Sequence, residues 1–181
     1  MNDHLDALAP LWADHLFPSP LGPLTVTVST VGLVRLDFSA LAPIAAELHA
    51  WLAPADLPAP PHLAEALKQL YEYLLGQRRE FDLPIDWRGM PEFSVHALQA
   101  AAAIPCGQVR TYGDLAASLG LSNGARAVGQ AMASNPIPIV LPCHRVVGAD
   151  NRLHGYSGLY GVKTKAWLLN LEGSTFQNQL F

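Results

Sequence analysis

The sequence has few of the residues that covalent or metal-based stabilisation requires. It contains two cysteines, Cys106 and Cys143, in 181 residues, and they are too far apart to form a Cys-x-x-Cys pair. Two such cysteines exclude a disulfide scaffold, and the histidines recur at no spacing that is typical of zinc ligands. We therefore expect no metal, since a chain of this length buries enough surface to fold without one.

Long apolar runs and abundant charge are also missing. No hydrophobic stretch approaches the roughly 18 residues that a membrane-spanning helix needs, so we expect no contact with a membrane. Residues 1–4 are acidic rather than basic and precede no apolar segment, which predicts a cytoplasmic protein without a secretory signal. Only 14% of the residues are charged, but 50% are hydrophobic, and this balance excludes an intrinsically disordered chain.

The charge is divided unevenly along the chain. Residues 1–90 contain five Lys and Arg against eleven Asp and Glu, a balance of −6, whereas residues 91–181 contain six against four, a balance of +2. The overall charge of −4 is unusual for a nucleic-acid-binding protein, because such proteins are mostly basic. The second half alone could still approach a phosphate backbone.

The first half has the patterns of a small α/β domain. Alternating β-branched residues at 24–29, a short turn and a second apolar run at 33–38 predict a β-hairpin. Leucines within residues 1–18 indicate a short amphipathic helix or an arm packed on the domain. Two helices and a further strand are predicted at residues 44–52, 63–75 and 81–85.

The second half is predicted to be mainly helical. Helices are expected at residues 93–104, 112–119, 125–134 and 162–171. The middle two are short and joined by a tight turn, which is typical of a helix-turn-helix. Prolines around residues 137–141 predict an extended segment. The predicted fold class is therefore α+β, with a small N-terminal α/β domain at residues 1–88 and a helical C-terminal domain at residues 89–181.

The second helix of the predicted helix-turn-helix is rich in Ala and Gly. A recognition helix that reads the major groove usually carries several long polar side chains, and here only Arg126 and Gln130 qualify. A smooth helix with one Arg near its start suits the narrow minor groove, where the Arg acts as a wedge. Small residues alone are equally consistent with close helix packing in a core, so an exposed Arg126 is what favours DNA contact.

Cys143 is the candidate nucleophile. It is followed by His144, and a thiol becomes a strong nucleophile when a neighbouring base or cation lowers its pKa. Cys106 has no such neighbour and is interpreted as an inert structural residue. A carboxylate that fixes the tautomer of His144 would complete a triad. The second half offers four candidates, Glu92, Asp114, Asp150 and Glu172, and the residues alone do not choose among them.

The ordered motifs of the second half resemble those of O6-alkylguanine-DNA alkyltransferases, also called methylated-DNA–protein-cysteine methyltransferases. The most specific motif is Pro-Cys-His-Arg-Val at residues 142–146. The others are Arg-Thr-Tyr-Gly-Asp-Leu-Ala at 110–116, Arg-Ala-Val-Gly-Gln-Ala-Met at 126–132, Asn-Pro-Ile-Pro-Ile at 135–139, Gly-Tyr-Ser-Gly at 155–158 and Trp-Leu-Leu-Asn-Leu-Glu-Gly at 167–173. The resemblance is dense over residues 91–173 and weak over the hairpin at 19–38.

The resemblance implies a DNA repair activity. The alkyl group of O6-alkylguanine in double-stranded DNA, and of O4-alkylthymine, would be transferred to Cys143. The lesion lies inside the base stack, so the nucleotide must be flipped out, with the protein in the minor groove. The thioether product cannot be reversed by thiol exchange, so each molecule acts once. The resemblance further implies a monomer that needs no cofactor.

The resemblance also implies roles for individual residues. Around the nucleophile Cys143, His144 would be the base that acts through a bridging water, Glu172 the carboxylate that orients it, and Asn135 the residue that holds the preceding turn. DNA would be contacted by Arg126, which fills the gap left by the flipped base, by Tyr112, which helps to rotate the 3′ phosphate, and by Ala127 and Gln130. The alkylguanine pocket would be lined by Pro138, Val146, Tyr156 and Ser157.

Two other functions are consistent with parts of the sequence. One is a sensor that binds alkylguanine without repairing it, although the presence of Cys143 argues against this. The other is a cysteine hydrolase, but such enzymes rarely place nucleophile and base next to each other in sequence. Arg145 is expected to form a structural ion pair. Lys163 and Lys165 are expected to face solvent or phosphate, and His154 is interpreted as a solvated loop residue.

Overall fold

The computed structural model of the chain describes residues 8–150, 153–156 and 158–174. The chain divides into two compact units, Met1–Met90 and Pro91–Phe181. The first contains a three-stranded antiparallel sheet and the second is mainly helical, so the predicted α+β class is confirmed. Within the described residues, no helix combines the length and the apolar character that crossing a membrane requires.

Over residues 8–90, which the structure describes, the first unit contains one sheet and two helices. The strands are β1 (Trp12–Leu16), β2 (Leu24–Val28) and β3 (Leu33–Asp37), in the order β1-β2-β3, and the helices are α1 (Leu41–Leu48) and α2 (Pro61–Leu74). Every residue of β2 is buried, which is expected of the central strand when both faces of a sheet are covered. Pro61 occupies the first turn of α2, where backbone N–H groups have no acceptor within the helix, so the N–H that proline lacks is not needed.

Two segments of the first unit differ from a predicted element. Residues 12–16, predicted as part of a helix or of an arm packed on the domain, form strand β1, which pairs with β2 from Trp12 opposite Val28 to Leu16 opposite Leu24, so the helix alternative is wrong. The leucines that indicated a helix lie partly before this strand, and two of them are buried in a cluster next to α1. The segment 81–85, predicted as a strand, makes a single bridge between Ile85 and Leu33.

A buried carboxylate holds the end of the first unit against its sheet. Asp86 is 1% exposed, accepts a hydrogen bond from Ser29 Oγ and is also bound by the guanidinium of Arg88. Burial by itself would raise the pKa of Asp86, but the hydrogen bonds from Arg88 and Ser29 outweigh it and place the pKa below its ordinary value. Asp86 is therefore a structural anion.

The second unit follows the predicted helices closely. Its elements are α3 (Glu92–Ala102), β4 (Arg110–Thr111), α4 (Tyr112–Ser118), α5 (Ala125–Ala133), β5 (Val146–Val147) and α6 (Val162–Leu171). Thr111 begins α4 through a capping box with Asp114, in which each side chain binds the other residue's backbone N–H. The parallel pair of β4 and β5 was not predicted, because two residues are too few for a periodic pattern.

The segment 137–141, predicted to be extended, is a turn. The amide of Asn135 donates to the carbonyl of Leu141 at 2.7 Å, and its oxygen accepts from the N–H of Ile137 at 3.0 Å. Leu141 N–H donates in turn to Ile137 O at 2.9 Å, and Ile139 adopts a φ of +75°. A side chain outside the segment thus determines its conformation, which the preference of residues before proline does not reveal.

Candidate active site

Cys143 opens a 3-10 turn, Cys143–Arg145, that leads into β5. Its side chain is buried, with 3% exposure, but it forms part of the wall of a cavity of about 260 Å³. The wall is formed by Tyr112, Gly129, Met132, Ala133, Cys143, Gly155 and Tyr156. The sulfur is therefore withdrawn from bulk water and lies beside a space that can receive a small group.

The carboxylate of Glu172, just after α6, binds both side chains that follow the cysteine. Its Oε1 lies 2.9 Å from His144 Nε2, and Arg145 binds both carboxylate oxygens at 2.8–3.2 Å. Arg145 also donates to the carbonyl of Ile104 at 2.6 Å, and Gly107 N–H donates to Glu172 Oε2 at 3.1 Å. Glu172, one of four carboxylates left open by the residues alone, is thus within hydrogen-bond distance of His144.

His144 is held in its neutral form. Burial lowers the pKa of the imidazole, and the hydrogen bond and charge of Glu172, which raise it, do not compensate. A neutral imidazole whose Nε2–H donates to a carboxylate carries its basic lone pair on Nδ1. The arrangement fixes both the tautomer and the orientation of the ring.

Cys143 is a thiol at rest, contrary to the expectation that its neighbours lower its pKa. Burial raises the pKa of this thiol, and the opposing effects of the Asn135 hydrogen bond, the Lys165 charge and nearby backbone N–H groups are smaller. The groups that could stabilise a thiolate are present, but their combined effect is smaller than that of burial.

Lys165 contradicts the prediction that it faces solvent or phosphate, because its side chain is completely buried. Its Nζ donates to the carbonyl oxygens of Val146 at 2.6 Å and His154 at 3.1 Å and to the hydroxyl of Tyr112 at 3.4 Å. Burial lowers the pKa of Lys165 to about 8, against the favourable effect of Cys143. The ammonium is thus part of the surroundings of the cysteine.

A sequence signal for Lys165 exists in its helical spacing. Buried Leu168 and Leu169 lie three and four residues further along α6, and Glu172 lies seven residues further. This is the spacing of one helix face that points to the core. Lys163, by contrast, is exposed, as its prediction stated.

The predicted pocket residues fall into three groups. Tyr156 lines the cavity, and burial raises the pKa of its hydroxyl well above the usual value. Pro138 and Val146 are buried, but the cavity wall drawn from the described residues does not include them. Ser157 lies outside the described residues. Three wall residues of α5 were not predicted: Gly129, Met132 and Ala133. A helix rich in small residues shows the same sequence pattern whether it lines a cavity or packs against another helix.

The residues predicted to contact DNA lie on α4 and α5. Arg126, Ala127 and Gln130 are exposed on α5, with Arg126 in its first turn. Tyr112 is the first residue of α4 and also lines the cavity, and burial raises the pKa of its hydroxyl. One tyrosine therefore belongs both to the helix pair and to the surroundings of Cys143.

Two family models match the chain, one to each unit. The ribonuclease-like domain of 6-O-methylguanine DNA methyltransferase matches residues 14–87, and its DNA binding domain matches residues 92–174. The constitutive methylated-DNA–protein-cysteine methyltransferase of Bacillus subtilis is 44% identical over 119 residues, which are 66% of this chain and 71% of the relative. The methyltransferase of Mycobacterium tuberculosis strain H37Rv is 39% identical over 156 residues, 86% of this chain and 89% of the relative.

Solved structures give the same result. The crystal structure of the M. tuberculosis O6-methylguanine methyltransferase superposes with a TM-score of 0.71 at 36% identity, covering 89% of this chain and 93% of that one. A structure of the M. tuberculosis OGT in complex with DNA has a TM-score of 0.70 at 35% identity, covering 89% and 92%. With both units matched by its domain models, the chain belongs to the 6-O-methylguanine DNA methyltransferase family.

Proposed function

We propose that the protein repairs DNA by transferring the alkyl group of O6-alkylguanine irreversibly to Cys143. The observation that carries this proposal is the position of Cys143 in the wall of a 260 Å³ cavity, directly before a histidine bound to a buried glutamate. The named activity of the relatives and the DNA complex of one of them support the same reaction and the same partner. The chemistry uses side chains of residues 89–181 alone.

The reaction is an in-line displacement at the alkyl carbon. Cys143 Sγ forms the new S–C bond while the bond from carbon to O6 breaks and its electron pair stays on the guanine. The thiol proton passes through a water to His144 Nδ1, and Glu172 stabilises the imidazolium that forms. The departing guanine gains a proton, for which the Tyr112 hydroxyl in the cavity wall is a donor: it gives up its bond to the His154 carbonyl and is left as a phenolate beside the Lys165 ammonium. Asn135 keeps the turn before Cys143 in place.

The buried resting thiol fits this displacement. A thiolate formed in a low-dielectric site is poorly solvated and reacts readily once an alkyl carbon is in line with it. The charge of Lys165 and the hydrogen bond from Asn135 both favour the anion as it develops. Substrate entry and proton loss are therefore coupled.

We propose that α4 and α5 act as a helix-turn-helix that binds double-stranded DNA through the minor groove, with a flipped nucleotide in the cavity. The exposed Arg126 and the small neighbouring Ala127 suit close approach to a narrow groove, and Arg126 would occupy the gap in the stack. Gln130 faces the same side. Because α4 and α5 carry mostly small residues and a single cation, Arg126, they would make few contacts with phosphates. The protein is proposed to act as a monomer.

Methyl uptake by the purified protein tests the proposal. Mixed with a duplex that carries one O6-methylguanine, the protein should gain one methyl group on Cys143, located by peptide mass spectrometry, and a duplex with O4-methylthymine should be a second substrate. Cys143→Ser should abolish uptake, and Cys106→Ser is the matched control that should retain it. Lesion binding without uptake would instead support a sensor, and turnover of a thioester would support a hydrolase.

A further inference from the structure

A loop between β5 and α6 forms one side of the cavity. We define this rim loop as residues 148–150 and 153–156. Gly155 and Tyr156 line the cavity. The backbone carbonyl of His154, the preceding residue, accepts hydrogen bonds from Lys165 Nζ at 3.1 Å and from the Tyr112 hydroxyl at 3.4 Å. A single carbonyl of the rim loop thus binds two polar groups that surround the cysteine.

The side chain of His154 is fixed by Asp150. Its Nε2 lies 2.9 Å from both carboxylate oxygens of Asp150, so one imidazole N–H is shared between the two acceptors. Both side chains are about half exposed, at 54% and 50%. A side-chain pair in such contact with water contributes little to the stability of a fold. Its geometry therefore matters here more than its strength.

The backbone at Gly148 is shaped to accept this pair. A Cβ added to Gly148 would lie 2.4 Å from His154 Cδ2 and 2.5 Å from Asp150 Oδ1. The two side chains close directly over the α-carbon, which only glycine permits. Leu153 is buried with Val147 and Leu169, and it holds the middle of the loop to the core. The pair and this leucine therefore both hold the segment that carries the His154 carbonyl.

We propose that the Asp150–His154 pair is a latch that positions the alkyl-transfer site by holding the His154 carbonyl against Lys165 and Tyr112. The inference rests on the proposed function and adds two positioning residues to it. When the latch is broken, Asp150 and His154 no longer cross-link the rim loop, and the Lys165 ammonium and the Tyr112 hydroxyl lose a fixed acceptor. The transfer step then slows, whereas contact with DNA, made by α4 and α5, is unaffected.

Single-turnover kinetics measure the rate of the transfer step separately from the strength of DNA binding. For His154→Ala and Asp150→Ala we expect the limiting rate constant of methyl transfer from duplex DNA to fall about fivefold, the equivalent of one ordinary hydrogen bond. The DNA concentration at half the limiting rate should change less than about twofold. The double variant should be no slower than either single variant, because the two side chains act as one unit.

Two further variants make the test specific. His154→Gln keeps an N–H donor for Asp150 and should restore most of the rate. His15→Ala removes the histidine of another exposed pair, His15–Asp14 in β1, and should react like the wild type. Thermal unfolding of each variant shows whether it is folded at the assay temperature.

The outcomes distinguish the latch from the underlying function. Wild-type rates in His154→Ala, additive losses in the double variant, or a higher half-saturating DNA concentration at an unchanged limiting rate would each overturn the latch alone. Absence of methyl uptake by the wild-type protein would overturn the proposed function, and the latch with it.

Discussion

In each unit a buried carboxylate binds an arginine, but the other side chain that binds the carboxylate differs between the units. In the first unit Asp86 binds Arg88 and the hydroxyl of Ser29. In the second, Glu172 binds Arg145 and the imidazole of His144. A serine hydroxyl does not take up a proton at neutral pH, whereas an imidazole does. In the proposed mechanism, similar ion pairs thus support a structural anchor in one unit and a proton acceptor in the other.

The largest effect is expected when the carboxylate of Glu172 is neutralised. Glu172→Gln removes the group that stabilises the imidazolium, and we expect methyl transfer to slow on the order of 100-fold or more, the usual contribution of acid–base catalysis. It also leaves the buried Arg145 unpaired, which should lower the free energy of unfolding by about 3–5 kcal/mol. Methyl uptake under single-turnover conditions and urea unfolding measure the two losses.

Asp86→Asn is the matched control in the first unit. The guanidinium of Arg88 remains partly in water, at 46% exposure, so we expect a loss of only about 1 kcal/mol of stability and no change in the transfer rate. A large fall in that rate for Asp86→Asn would contradict the assignment of Asp86 as a purely structural anion.

A smaller effect is expected at Lys165. Lys165→Met keeps the length of the side chain but removes the ammonium that binds Tyr112, and the transfer rate should fall roughly tenfold, the equivalent of one charged hydrogen bond. Because the pKa of Lys165 is about 8, the wild-type rate should decline as the pH rises through that value. The variant should lose this decline, and a pH–rate profile that keeps it would exclude Lys165 as its origin.

The smallest effect is a difference in the acid sensitivity of the two units. Both groups have folded-state pKa values below their unfolded values, so each stabilises the fold above the unfolded value and loses that contribution as the pH falls. As the pH falls, the loss of stability begins near pH 6.5 for His144 and near pH 3.8 for Asp86, the ordinary pKa values of the two groups. Hydrogen exchange at pH 5 should therefore accelerate in residues 91–174 before residues 8–90. His144→Asn should abolish this difference, and equal protection in the wild type would contradict it.

The sequence identified the residues next to Cys143 in the chain more readily than those that only the fold brings near it. Cys143 and His144 are adjacent, so one motif reveals both, whereas Glu172 could be chosen from four carboxylates only through the resemblance. Lys165 was wrongly predicted to be exposed because lysines mostly are. Its spacing to Leu168, Leu169 and Glu172 indicates the buried face of α6, but the general preference of lysine for the surface was given more weight. The turn at 137–141 depends on the side chain of Asn135, a contact that local backbone preferences do not contain.

The fold prediction failed where pairing between distant segments decides the structure. The leucine spacing near β1 is compatible with a helix, and only the presence of β2 makes it a strand. The two-residue strands β4 and β5 have no pattern of their own. The helices α4, α5 and α6 were predicted within one residue at each end, because caps, glycines and apolar spacing mark them locally.

The protonated state of Cys143 also bears on how long the protein stays usable. Oxidants and soluble electrophiles attack the ionised form of sulfur, and this site keeps that form scarce until a lesion arrives. A protein whose nucleophilic sulfur is consumed in one event cannot recover that sulfur after accidental damage. Shielding the sulfur in this way preserves each copy for the single encounter in which it is needed.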